Sequence, residues 1–247
     1  ARIGGRSYRS LATPLTEVGA LLDSEAIHPG RRAKDHLLWM AQSNGLPARR
    51  VGEVLEQVGL TSVARRRAGG FSLGMRQRLG IAAAMLGDPP VLIFDEPVNG
   101  LDPEGIRWIR GYLRGLAAEG RAVLVSSHLM SELEETADHL VVIGRGRMVA
   151  DTTVADLVAG ASGARVLLRT SRRTDAMTLL SQAGATVAAI DHDSVTVDGL
   201  PAERIAALLG AAEVPFSALG AHRATLEEAY MELTRDAVEF GAQASTP

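Results

Sequence analysis

The chain has 247 residues, 46% of them hydrophobic, with 26 lysines and arginines against 29 acidic residues and a net charge of −3. That length allows one large domain or a larger and a smaller one, and the near-balanced charge gives no global argument for nucleic acid or a membrane surface. The absence of cysteine excludes disulfides and thiolate metal sites and fits a reducing compartment. No apolar run approaches the roughly 20 residues that span a bilayer, so the chain reads as soluble.

Residues 1–22 carry few strong signals, although Glu17 to Leu22 reads as a strand and His28-Pro29-Gly30 as a loop. The chain opens at Ala1 without a charged-then-apolar leader, as a fragment or processed chain would. Residues 33–42 form a largely apolar helix stopped by Asn44-Gly45 and Pro47. In a second helix Val51, Val54, Leu55 and Val58 recur at i, i+3, i+4 and i+7, which marks one buried face. Phe71-Ser72-Leu73-Gly74-Met75 then opens an alanine-rich helix, with Ser72 as a candidate N-cap.

The apolar run Val91-Leu92-Ile93-Phe94 has no alternation and reads as a strand buried on both faces of a parallel sheet, with Asp95 and Glu96 at its carboxyl end. After Asp102-Pro103, Ile106, Ile109, Leu113 and Leu116 make an amphipathic stripe that Gly120 ends. Ala122 to Val125 is a second buried strand delivering Ser126-Ser127-His128, and the strand-helix alternation implies right-handed parallel crossovers. A hairpin follows around Gly144-Arg145-Gly146. Gly160 to Gly163 is the best candidate domain boundary. Beyond it the order strand, helix, two strands around Asp191 to Ser194, helix, strand resembles a βαββαβ sandwich. Thr225 to Glu228 opens a last helix in capping-box style, and residues 237–247 read as a loose tail.

Two carboxylates at a strand end suit magnesium-dependent phosphoanhydride hydrolysis, one holding the ion and the other acting as general base on water. By itself the pattern is more often that of a solvated strand end that caps a neighbouring helix. His128 on the neighbouring strand aims an imidazole at the same crevice. Arg65-Arg66-Arg67 and Arg31-Arg32 read as solvated faces, Asp191-His192-Asp193 as a turn, and Met130, Met148 and Met177 as core fillers.

Taken together, Ser72-Leu73-Gly74-Met75-Arg76-Gln77-Arg78-Leu79, Leu92-Ile93-Phe94-Asp95-Glu96-Pro97, Gly100-Leu101-Asp102-Pro103 and Ser126-Ser127-His128 resemble, in order and spacing, the nucleotide-binding subunit of ABC transporters. Within that family the chain is most similar to bacterial daunorubicin-resistance-type drug-export ATPases. The resemblance implies an α/β fold with a partial P-loop NTPase core, a mostly parallel sheet and a helical insertion at about residues 33–70. A small C-terminal α+β ferredoxin-like domain would cover 164–236, with the ATPase domain at 1–160. It implies ATP and Mg²⁺ as cofactors, with Asp95 on the metal, Glu96 as catalytic base and His128 as the switch that senses the γ-phosphate. Ser72 and Gly74 match the signature loop, which meets the nucleotide of an opposite subunit in a head-to-tail dimer, and Asp102 matches the loop coupling the two sites. The implied partners are a membrane permease, docked on the helical insertion, and a second ATPase subunit, without nucleic acid. The implied location is cytoplasmic, peripheral on the inner face of the cell membrane.

Three departures qualify the match. No Gly-x-x-x-x-Gly-Lys-[Ser/Thr] occurs anywhere, so the phosphate-cradling loop is missing from these residues, and an N-terminally truncated, inactive chain is expected. The signature reads Phe-Ser-Leu-Gly-Met, placing Leu73 and Met75 where the family has a glycine and a polar residue. Asp23 stands where the family offers a glutamine to Mg²⁺ and water. The alternative reading is a non-catalytic remnant that pairs with a permease or an intact ATPase. An ABC ATPase acting on DNA or ribosomes fits less well, since the chain has neither two cassettes nor long coiled coils.

Overall fold

The computed structural model describes residues 1–23, 26–162 and 165–234, in two compact units divided between Thr136 and Ala137. In the first unit, strands β1 (Arg2–Ile3) and β2 (Arg6–Ser7) form a small hairpin. The elements that follow are β3 (Val18–Leu21), α1 (Ala33–Ser43), α2 (Arg49–Gln57), α3 (Leu73–Ala84), β4 (Val91–Asp95), α4 (Pro103–Ala118), β5 (Ala122–Ser126) and α5 (Met130–Thr136). Helix α1 turns Ala33, Leu37 and Ala41 inward at i, i+4, i+8, and α2 turns in Val51, Val54 and Leu55. The expected helical insertion is therefore formed by two amphipathic helices whose apolar stripes join α3 in one core.

Strands β3, β4 and β5 pair in that order, all parallel, with Leu21 beside Phe94 and Phe94 beside Val125. A glycine at position 19 lets α3 lie directly on β3, since a Cβ there would stand 2.0 Å from the Ala84 carbonyl oxygen. One face of this sheet is closed: Leu92 and Phe94 are fully buried, with Val123 and Val125 packed against the same core.

The opposite face corrects the expectation of strands buried on both sides. Ala20 is exposed, Val91 and Ile93 are half-buried and Leu124 is 61% exposed, and none of them belongs to the core cluster. The apolar run in β4 has the composition of a two-sided strand, but the described helices whose side chains join that core meet one side only.

In the second unit β6 (His139–Gly144) and β7 (Arg147–Thr153) form an antiparallel hairpin through Arg145 and Gly146, both at positive φ as a primed turn needs. Helix α6 (Val154–Ser162) follows, then β8 (Val166–Arg169), α7 (Arg173–Gln182), β9 (Thr186–Ala189), β10 (Ser194–Asp198), α8 (Ala202–Ala211), β11 (Ala218–Ala221) and α9 (Leu226–Thr234). The sheet order β11-β8-β10-β9, antiparallel throughout, is the split βαββαβ arrangement read from the sequence. Leu168, Leu180, Val195, Val197, Ile205 and Leu209 form its own core.

Thr225 and Glu228 close the expected capping box, each side chain accepting from the other's backbone N–H at 3.2 and 2.9 Å. Gly160, Ala161 and Ser162, read as a break, instead continue α6, where the Ser162 hydroxyl bonds back to Val158. Gly163 and the tail 235–247 lie outside the described residues. Met177 packs against the second core, whereas Met148, read as a core filler, is 65% exposed on β7. Among the described residues no helix is long and apolar enough to cross a membrane.

Candidate functional site

Parallel pairing brings the carboxyl ends of β3, β4 and β5 to one edge, so residues just beyond each strand converge without being near in sequence. Asp95 ends β4 directly opposite Ser126, which ends β5. The Ser126 hydroxyl donates to Asp95 Oδ1 and accepts the backbone N–H of Glu96 at 3.0 Å. One step on, Glu96 Oε2 lies 2.9 Å from His128 Nδ1. A carboxylate can only accept there, so that imidazole nitrogen carries the proton and donates. Asp95, Glu96 and His128 thus stand together at one edge of the sheet. Asp23, two residues past β3, is exposed at the same end of the sheet.

Glu96 has φ +47°, in the left-handed region that costs a non-glycine residue about 1–3 kcal/mol. Its surroundings hold it from both sides. Ser126 takes its N–H, while its carbonyl accepts from Asn99 N at 3.2 Å and from Gln77 Nε2 at 3.4 Å. Gln77 also donates to the Pro97 carbonyl at 3.0 Å.

At the start of α3, Ser72 caps the helix by accepting from Met75 N at 3.3 Å. The turn before α4 lies against it. Gly100, at φ +68°, is covered by Leu73, whose Cδ2 stands 2.0 Å from where a Cβ would be. Leu101 Cδ2 would stand 3.3 Å from a Cβ on Gly74. The substitution of leucine for the family's glycine at position 73 is therefore matched by a glycine opposite it. Asp102 caps α4, accepting from Gly105 N at 2.8 Å. Ser72, Gly74 and Asp102 so belong to one neighbourhood.

Two participants escaped the reading of the sequence. Ser126 looked like part of a Ser-Ser-His string, and only the β4–β5 register shows it bridging Asp95 and Glu96. Gln77 stands in the Ser72 to Leu79 motif without an assigned role; its signal was a lone amide among Leu79, Ile81, Ala82 and Ala84, all of them buried. Elsewhere, Arg32 and Arg65 to Arg67 are exposed as expected, while the half-buried Arg31 stacks 4.7 Å from the Trp39 ring centre; Arg31, Arg32 and Arg67 line an open cleft of about 440 Å³ with His28, Gly30 and Asp35.

Among the described residues no three acidic or histidine side chains gather into a self-sufficient metal site. Magnesium, however, is commonly held by one or two carboxylates together with substrate phosphates and water. The exposed Asp95, steadied by Ser126, fits that use.

Residues 5–99 match the family described as ABC transporter, and residues 164–227 match a domain of unknown function, DUF8746. Residues 5–99 are thus similar to an ABC transporter ATP-binding domain. It is 40% identical over 150 residues to an uncharacterized ABC transporter ATP-binding protein, YhcH, of Bacillus subtilis (strain 168), covering 60% of this chain and 49% of that one. It is 37% identical over 159 residues to the bacitracin transport ATP-binding protein BcrA of Enterococcus faecalis, covering 63% and 52%. It is 33% identical over 196 residues to the daunorubicin resistance ATP-binding protein DrrA3 of Streptomyces coeruleorubidus, covering 76% and 61%. A solved structure of the ATP binding subunit of an ABC transporter superposes with a TM-score of 0.55 at 26% identity, over 63% of this chain and 67% of the other. The chain spans about half the length of the first of these curated relatives.

Proposed function

We propose that the chain is the ATP-binding and ATP-hydrolysing part of an export system for antibiotic-like drugs, coupled to a separate membrane permease and lying on the inner face of the cell membrane. The observation that carries this reading is the Asp95–Ser126–Glu96–His128 chain of contacts at the carboxyl edge of a parallel sheet. Glu96 would take a proton from the attacking water, a general-base role that its half-buried carboxylate at the sheet edge suits. His128, with its Nδ1–H given to Glu96, would donate from Nε2 to a terminal phosphate as the imidazolium, in which both ring nitrogens carry protons. Asp95 would hold Mg²⁺ and Asp23 would face the same edge; the ion, arriving with ATP, would neutralise charge on the phosphates. Ser72 and Gly74 would serve the nucleotide of an opposing subunit, and Asp102 would join the two sites of that head-to-tail dimer.

The phosphate-cradling Gly-Lys loop does not occur in these 247 residues, so Asp95 and Glu96 would have to work with one supplied by another segment. The open apolar face around Ile93 and Leu124 supports such an addition, because a strand–loop–helix unit would cover it. The same missing motif favours a second reading, a non-catalytic partner of a permease or of an intact ATPase.

Turnover measurements separate the two. The 247-residue polypeptide alone should not hydrolyse Mg-ATP. Joined to the phosphate-loop segment of a relative it should bind and hydrolyse it, and Glu96→Gln should keep binding while cutting turnover about 10²- to 10⁴-fold. Absence of Mg-ATP binding in the joined protein would leave the non-catalytic reading standing. Hydrolysis by the 247 residues alone, lost in Glu96→Gln, would point to a phosphate site within them.

A further inference from the structure

We propose that Gln77 is the positioning residue for Glu96, holding its backbone in the left-handed conformation that delivers the carboxylate to His128. The inference rests on Glu96 being the general base. Gln77 is 4% exposed, and its amide nitrogen reaches two consecutive carbonyls, Glu96 at 3.4 Å and Pro97 at 3.0 Å. A buried amide placed in an apolar helix must be matched by acceptors, and these two carbonyls are the ones that define the turn leaving β4.

Because Ser126 takes the Glu96 N–H from the β5 side, Glu96 is held at both ends of its residue, by a strand on one side and by α3 on the other. Rotation of either peptide plane would carry the carboxylate away from His128 Nδ1, which it meets at 2.9 Å. The helix that supplies Gln77 begins at the Ser72 cap, five residues away on the same rigid rod. Displacement of the Ser72–Gly74 end, as by a phosphate bound there, therefore reaches Glu96 of the same subunit through the Gln77 amide. Packing alone would not give this link, since an apolar residue of equal volume fills the space and holds no carbonyl.

The test uses Gln77→Met, which keeps the volume and removes the amide, with the isosteric Gln77→Glu as the second variant should the first fail to fold. In the 247-residue chain, amide exchange by NMR should rise about tenfold or more at Glu96 while Ile81, deep in the same helix, stays unchanged. In the joined, ATP-hydrolysing protein, kcat should fall about 10- to 100-fold with KM for ATP nearly constant. Unchanged exchange at Glu96, a uniform rise along α3, or a change in KM with kcat preserved would each overturn the proposal. If the joined protein with Gln77 intact does not hydrolyse ATP, the reading of Glu96 as a base fails. The exchange experiment still reports on Gln77 in that case.

Discussion

A positive φ at two positions near the site has two different remedies. At Glu96 a non-glycine residue occupies the left-handed region, and the strain is offset by hydrogen bonds at both its N–H and its carbonyl. At Gly100 the residue type itself yields, because a side chain would meet both the unfavourable φ and Leu73. Gly100→Ala should therefore cost at least about 1–2 kcal/mol in urea denaturation, and Leu73→Ala in the same chain should recover part of that loss by clearing the space. An equal cost in both backgrounds would mean that φ alone is responsible.

His36 offers a second test at this scale. Burial, aided by the neighbouring Arg31 charge, holds its pKa below the usual 6.5. As the pH falls through about 6.5 the unfolded chain takes up a proton that the folded chain resists, so stability is present above that pH and lost below it. His36→Leu should flatten the fall in urea midpoint between pH 7.5 and 5.5, and an unchanged slope would assign the fall to other groups.

Among the elements, α3 and α4 are both started by a side chain that the sequence also marks for nucleotide chemistry. Ser72 caps one and Asp102 the other, so loss of activity on their removal would not by itself separate folding from function. The two roles come apart by choice of substitution. Asp102→Ala should cost about 0.5–2 kcal/mol of stability, whereas Asp102→Asn, an equally good cap, should cost almost nothing. A large effect of Asp102→Asn on turnover with stability retained would then report the charge rather than the cap. The same logic makes α1 and α2 readable: their stripes of alanine, leucine and valine fit the helical period, and tertiary packing only had to join two stripes already present.

At the scale of the whole molecule, the two units have separate cores, and among the described residues the sheet of the first is closed on one side only. Substitution on the two faces should give opposite results. Leu92→Ala, which empties a fully buried position, should cost about 2–5 kcal/mol, while Leu124→Ser on the open face should stay within about 0.5 kcal/mol in the 247-residue chain. In the joined, ATP-hydrolysing protein Leu124→Ser should become costly, and equal tolerance in both proteins would show that nothing packs on that face.

The sequence by itself determined the kinds of element and the motifs they carry. Helical periods, the βαββαβ order, the capping box at Thr225 and the four motifs around Asp95 are local patterns, set by side chains at fixed spacings along one strand or helix. What only the tertiary structure decided depends on residues far apart in sequence. The β4–β5 register turned Ser126 into a bridge between the Asp95 carboxylate and the Glu96 backbone N–H, and helix packing laid Gln77 against the turn after Glu96. The open face of the sheet was equally hidden, because the run Val91 to Phe94 reads the same whether one side is covered or two. A residue's neighbours in its own element set its conformation, but its burial and its hydrogen-bond partners are set by whatever the fold brings against it.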